Sequence, residues 1–213
     1  MTFIVAIDGL AGSGKGVLAK GISNRFNFSY FDTGILYRGL AYLSLKKHGE
    51  NFTEDNVINI AKSYNIDEID QQKIRSSDVG KYASVIGSIP EVREILTKIQ
   101  RQFKEKSTSD NGIVVDGRDI GTVIFPNADV KFFISASIEE RAKRRLNDFS
   151  QRNEKISYNQ VIKQLQKRDQ RDKERSVAPL VAAKDAHLID TTKINKEETL
   201  EIASSLIIQK LDG

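Results

Sequence analysis

The chain has 213 residues, 39% of them hydrophobic and 29% charged, the balance of an ordinary globular chain long enough to bury one good core. It has no cysteine and only two histidines, His48 and His187, which excludes disulfides, thiolate metal sites and a histidine-rich metal centre. The net charge of +4 is mild and suits small polyanions at least as well as a nucleic-acid surface; no stretch has the length and apolarity of a membrane span.

The opening, Met1-Thr2-Phe3, leads straight into the apolar run Phe3-Ile4-Val5-Ala6-Ile7, which closes on Asp8. That run lacks the basic start and the length of a secretory leader, so a cytoplasmic location is expected. It reads as a buried strand. Gly9-Leu10-Ala11-Gly12-Ser13-Gly14-Lys15-Gly16 follows at once, and a helix is expected from about residue 15 to about residue 26. Strand, glycine loop, Lys and helix in that order make a phosphate-binding P-loop. The glycines let successive backbone N–H groups turn inward around phosphate oxygens, Lys15 adds a point charge at the β/γ-phosphates, and the helix start adds its positive end. Residues Gly9, Leu10, Ala11, Gly12, Ser13, Gly14, Lys15, Gly16 and Val17 are therefore the expected ATP cradle. Most P-loops carry a magnesium-binding hydroxyl directly after the Lys. Here Gly16 and Val17 stand there, which argues against a GTPase or motor ATPase. Gly after the Lys is the habit of nucleoside monophosphate kinases, which usually place Thr where this chain has Val17.

A short strand, Ser29-Tyr30-Phe31, ends at Asp32 and hands over to a helix that fades near Gly49. Residues 53–89 are polar and helical in character. They read as a monophosphate-binding insertion in a single domain whose core is 1–52 and 90–213. Ile89-Pro90-Glu91 starts a helix to about residue 106, and residues 107–112 are a plain loop. Ile113-Val114-Val115 is a buried strand ending at Asp116, and Val130-Lys131-Phe132-Phe133-Ile134 is another, followed by a capping box, Ser137-Ile138-Glu139-Glu140. A basic helix, a polar loop at about 148–155 and a long charged helix at about 158–175 form an arginine-rich lid centred on 146–160. Leu188-Ile189 is the last strand, and residues 197–211 form the last helix. Strands alternating with helices define an α/β fold: a three-layer α/β/α sandwich on a central parallel sheet.

In such a sheet ligands bind beyond the carboxyl ends of the strands. Asp8 with the P-loop, Asp32-Thr33-Gly34, and Asp116-Gly117-Arg118-Asp119 all fall there. Asp116 has the apolar-run-then-Asp form that serves Mg²⁺ in P-loop proteins, here through water because the P-loop hydroxyl is missing. Arginine is the second theme. Arg141, Arg144 and Arg145 lie on one helix; Arg168, Arg171 and Arg175 lie on another, with Asp172 on the same face. Mobile guanidinium forks flanking a lid suit phosphoryl transfer, since they close bidentately on phosphate oxygens and exclude water. Arg168 and Arg175 are the functional candidates there; Arg171 and Lys173 read as surface.

With these motifs in place, the chain resembles the bacterial cytidylate kinases. The resemblance is carried by residues 9–16, by Asp32-Thr33-Gly34-Ile35-Leu36-Tyr37-Arg38, by Asp116-Gly117-Arg118-Asp119-Ile120-Gly121-Thr122 through Pro126, and by Arg168-Asp169-Gln170-Arg171-Asp172 through Leu180. Asp185-Ala186 and Asp190-Thr191-Thr192 add to it. It implies transfer of the γ-phosphoryl of ATP to CMP or dCMP with Mg²⁺ by a monomer acting on free nucleotides. Lys15, Arg118, Arg168 and Arg175 would be catalytic, and Arg141 and Arg145 would contact ATP. Arg38, Arg118 and Arg175 would hold the acceptor phosphate, with Thr33 beside them. Ser84, Arg93 and Asp119 would read cytosine, while Tyr37, Arg168 and Asp172 would lie at the sugar. The stretch 65–75 is short and polar, so a small β-rich insertion found in longer relatives is expected to be trimmed. A kinase for another small acceptor (UMP, AMP or a shikimate-like alcohol) and a basic nucleic-acid-binding P-loop protein are the competing readings.

Overall fold

A computed structural model of the chain describes residues 2–66, 69–107 and 111–212. Five strands make one parallel sheet: β1 (Phe3–Gly9), β2 (Ser29–Asp32), β3 (Gly112–Asp116), β4 (Val130–Ser135) and β5 (His187–Asp190), in the order β2-β3-β1-β4-β5. β1 is central, pairing Ile7 with Asp116 of β3 and with Phe132 of β4. Its near-continuous apolar sequence follows from burial on both faces. Val5 and Ile7 meet α1 (Lys15–Phe26) and α8 (Lys196–Leu211) through Leu18, Ile22, Ala203 and Ile207, whereas Ile4 and Ala6 pack on the opposite face with Ile113, Val115 and Ile120.

A second apolar cluster joins α2 (Gly34–His48), α3 (Glu54–Lys62), α4 (Ser77–Ile86) and α5 (Pro90–Lys106) around Leu36, Leu40, Val57, Ile86 and Leu96. Within 53–89 no strand occurs among the described residues, in keeping with the polar, helical sequence there. Part of the stretch read as short and polar, residues 67–68, lies outside the described residues, as do residues 108–110 of the expected loop 107–112. The last cluster packs α6 (Ile138–Ser150) on α7 (Tyr158–Glu174) through Ala142, Phe149, Val161 and Leu165, and it takes in Ala11 of the glycine loop. The lid is thereby seated on the P-loop by apolar contact. No helix of the described residues is long and apolar enough to cross a membrane.

Two local features differ from the sequence expectation. Only half of the capping box at α6 forms. Ser137 accepts from the Glu140 N–H at 3.2 Å, but its own N–H donates to Thr192 Oγ1 at 2.9 Å, and the Glu140 carboxylate takes the Arg144 guanidinium instead. A tertiary partner has displaced the local one. In addition, residues Ile120–Ile124 form one π-helical turn, a rare form with no dependable sequence signal that recurs at functional sites.

Leu40 is fully buried in the helical cluster, so Leu40→Ala is expected to lower unfolding free energy by about 2–5 kcal/mol in urea titrations; a change below about 1 kcal/mol would mean that the cluster does not pack this way.

Candidate active site

The site stands on the carboxyl ends of three adjacent strands. In register, Ile7 pairs with Asp116 and Asp32 pairs with Asp116, so the residues that follow β1, β2 and β3 converge on one edge of the sheet. The glycine loop owes its shape to backbone that side chains would not allow. Gly12 and Gly14 have φ of +76° and +95°, the left-handed region that favours glycine, and a Cβ on Gly9 would collide with the Ile134 carbonyl. The Leu10 N–H donates to that carbonyl at 3.1 Å. Inside the loop, Ser13 Oγ and Lys15 Nζ both donate to the Leu10 carbonyl, at 2.9 and 2.8 Å. Lys15 is buried, and burial followed by the neighbouring Arg118 pushes its ammonium pKa well below the usual range. Gly16 lies beside Asp116, and Val17 stands 58% exposed in the first turn of α1.

Asp116 is the electrostatic centre of the strand ends. Burial first, and the charge of Asp32 next, push its carboxyl up to about 7. Tyr30 donates its hydroxyl to Asp116 Oδ1 at 3.1 Å. Thr33 donates both Oγ1 and N–H to the Asp116 carbonyl, at 2.8 and 3.1 Å, so this expected acceptor contact ties β2 to β3. Asp32 accepts from the Gly34 N–H at 2.9 Å and pairs with Arg38 at 2.5 Å. Two buried or half-buried carboxylates that repel one another fit a dication between them and phosphate oxygens. Among the described residues, no group of three or more Asp, Glu or His side chains is arranged to hold a metal.

Beyond β3, the predicted residues come together in two linked ion-pair networks. Asp119, buried, pairs with Arg93 at 2.5 Å and with Arg175 at 3.6 Å. Arg93 also donates to the Gly87 carbonyl at 3.1 Å and lies over the Tyr37 ring, 5.6 Å from its centroid. Asp172, also buried, pairs with Arg118 at 3.0 Å and with Arg168 at 3.8 Å, and Ser84 Oγ lies 3.5 Å from it. Arg118 and the other arginines hold the Asp172 carboxyl below the usual carboxylate range against the opposing effect of burial. Even so, cations exceed anions. Arg168 keeps 32% of its side-chain surface open, yet desolvation by the cleft walls, then Arg118, Arg145 and Arg38, push its pKa down to about 10. Arg168 Nε and Arg175 Nη2 are buried donors with no hydrogen-bond partner in the protein. Such donors cost stability unless a ligand takes them.

The two lid arginines expected at ATP part company. Arg145 lies over the Phe149 ring at 4.6 Å and reaches toward Gly80 of α4. Arg141 is buried behind the loop, donating to the Ala136 and Ala11 carbonyls at 3.0 and 3.3 Å and pairing with Asp169 at 2.7 Å. It braces the P-loop from the lid side. Two further braces had no clear signal in the sequence. Thr191 Oγ1 donates to the Ser13 carbonyl at 2.9 Å while Arg144 donates to Thr191, and Lys131, buried, is held by the Pro126 carbonyl and Asp185.

A glycine loop on the central strand of a parallel sheet, a carboxylate pair at the ends of β2 and β3 and a surplus of guanidinium groups under a lid define a P-loop phosphotransferase. The family model for cytidylate kinase matches residues 5–209. Proteins named cytidylate kinase from Methylocella silvestris and Caldanaerobacter subterraneus are 42% and 37% identical to it, covering 96% and 100% of this chain and 93% and 98% of theirs. The chain belongs to the cytidylate kinase family. Its fold is shared by an uncharacterized protein of Eubacterium ventriosum at a TM-score of 0.57 and 13% identity, over 97% of this chain and 98% of that one.

The Asp116 carboxyl has its pKa raised from 3.8 to about 7, so the native state holds this proton more tightly than the unfolded chain. Its contribution to stability is full below pH 3.8 and is lost as pH rises through about 7. In urea titrations across that window the ligand-free wild type is expected to lose stability relative to Asp116→Asn as pH rises; a constant gap between the two would contradict the assignment.

Proposed function

We propose that the protein transfers the γ-phosphoryl group of ATP to CMP or dCMP, giving ADP and CDP or dCDP. The observation that carries this reading is the surplus of cations around Asp172 and Asp119, with two buried guanidinium donors, Arg168 Nε and Arg175 Nη2, that make long ion pairs but no hydrogen bond. A cleft so charged is complete only with phosphates inside it. The acceptor phosphate is already anionic and attacks the γ-phosphorus directly; its oxygen forms the new P–O bond as the bond to the β–γ bridging oxygen breaks, and ADP leaves with those electrons. No protein base or nucleophile is required. Rate enhancement comes from positioning and charge neutralisation.

In this reading Lys15 and the loop N–H groups hold the β/γ-phosphates, Arg145 approaches them from the lid, and Arg38, Arg118 and Arg175 hold the acceptor phosphate. Arg168 and Asp172 adjoin the sugar. Cytosine offers an amino donor beside ring acceptors, which matches a carboxylate and a cation side by side, Asp119 and Arg93, with Ser84 near. Mg²⁺, when bound, would neutralise charge on the transferring phosphates; Asp116, with Asp32 beside it, is the side chain that would hold it, through water. We read the protein as a cytoplasmic monomer acting on free nucleotides in pyrimidine metabolism.

An ADP-release assay with Mg-ATP against CMP, dCMP, UMP, AMP and GMP tests this. CMP and dCMP should be turned over far faster than the others. Lys15→Ala should cut kcat by at least about a hundredfold while calorimetry still detects CMP binding. Equal turnover of AMP would overturn the cytosine assignment, and normal turnover by Lys15→Ala would overturn the P-loop assignment.

A further inference from the structure

Asp8 is the last residue before the glycine loop, and its place in the chain associates it with ATP. Its side chain faces elsewhere. Asp8 is 4% exposed, and its carboxylate accepts two backbone hydrogen bonds, from the Ile120 N–H at 2.8 Å and the Gly121 N–H at 2.7 Å. These are the first N–H groups of the π turn at Ile120–Ile124, and the opening amides of any helical turn have no partner within it. The residue capping that turn is Asp119, whose own side chain makes no cap hydrogen bond and whose backbone, at φ −145° and ψ 25°, is not helical. A carboxylate from a different strand thus performs the capping, and Asp119 is left free to pair with Arg93 and Arg175.

The P-loop has no matching need of Asp8. Its shape is held by the Leu10 bond to Ile134, the Ser13 and Lys15 bonds to Leu10, and the Arg141 and Thr191 braces. Lys15 feels the Asp8 charge less than burial, Arg118, Asp116 or Arg168.

We infer that Asp8 is a positioning residue for the acceptor site: through the Ile120 and Gly121 amides it fixes the backbone of Arg118-Asp119, and so the side chains that hold the acceptor nucleotide. The inference rests on the acceptor-site reading given above. It separates Asp8 from its sequence neighbours, since the residue that immediately precedes the ATP cradle serves the other substrate. Burial, pushing the Asp8 carboxyl up to about 6 against the pull of the two amides, agrees with a group committed to backbone donors and closed to solvent. Asn at this position keeps the volume but presents one acceptor oxygen where two N–H donors converge.

Steady-state kinetics of Asp8→Asn should show the CMP KM raised by at least about tenfold, the scale of one lost charge-assisted hydrogen bond, with the ATP KM within about twofold of wild type. A purely structural role would move both constants together or neither, and either result overturns the inference. A second measurement needs no variant. In the wild type, the Ile120 and Gly121 amides should exchange slowly with solvent, and their NMR resonances should shift on adding CMP but not on adding a non-hydrolysable ATP analogue. Fast exchange of these amides, or a response to the ATP analogue alone, overturns the inference even if Asp8→Asn does not fold. Absence of CMP turnover by the wild type would instead refute the proposed reaction, leaving the exchange rates to report on the clamp.

Discussion

Everything at the site follows from one constraint: positive charge is packed at the strand ends more densely than the protein itself can neutralise. Arg118 and Arg168 both oppose the charge on Lys15, and Arg118, Arg145 and Arg38 oppose that on Arg168. In a desolvated cleft this repulsion is costly. The sheet makes it possible, because β1, β2 and β3 end in one row and each contributes residues to the same small volume. Phosphates relieve the strain, so the ligand-free fold stores a preference for polyanions that substrate binding releases.

The carboxylates do the partitioning. Asp172 and Asp119 each bridge two arginines, Asp32 takes Arg38, and Asp169 takes Arg141. None of these neutralises the cluster outright. They set the directions of the guanidinium forks in the ligand-free fold, the preorganisation that the proposed phosphoryl transfer would draw on. The lid shares in this through apolar contact with Ala11 and through the Arg141 brace on the same residue's carbonyl. Movement of α6 or α7 is therefore felt by the loop that holds phosphate.

Much of this was legible in the sequence because the signals were local. The P-loop needs glycines at fixed positions in a short window, and the strands needed only apolar runs, those of β1, β2 and β3 closing on Asp. Pro90 marked the start of α5, and the arginine spacing placed Arg168 and Asp172 on one face. What escaped depended on partners distant in the chain. The capping box at α6 stayed half-formed because Thr192, 55 residues away, took the Ser137 N–H, while the Glu140 carboxylate turned to Arg144. Arg141 reads as a phosphate ligand in the sequence, and nothing in that sequence announces the Ala136 and Ala11 carbonyls and Asp169 that the fold places around it. Thr33 offered a hydroxyl that β3 claims. Asp8 and Ile120 are 112 residues apart, so no window of sequence could have paired them.

The central claim, that one cation cluster is shaped for two nucleotides whose phosphates meet, is tested most directly by calorimetric titration with adenosine and cytidine joined through five phosphates. A single molecule should bind per chain, at least about a hundredfold more tightly than CMP alone, because both halves engage one continuous site. Binding no tighter than ATP alone, or two molecules bound per chain, would contradict it.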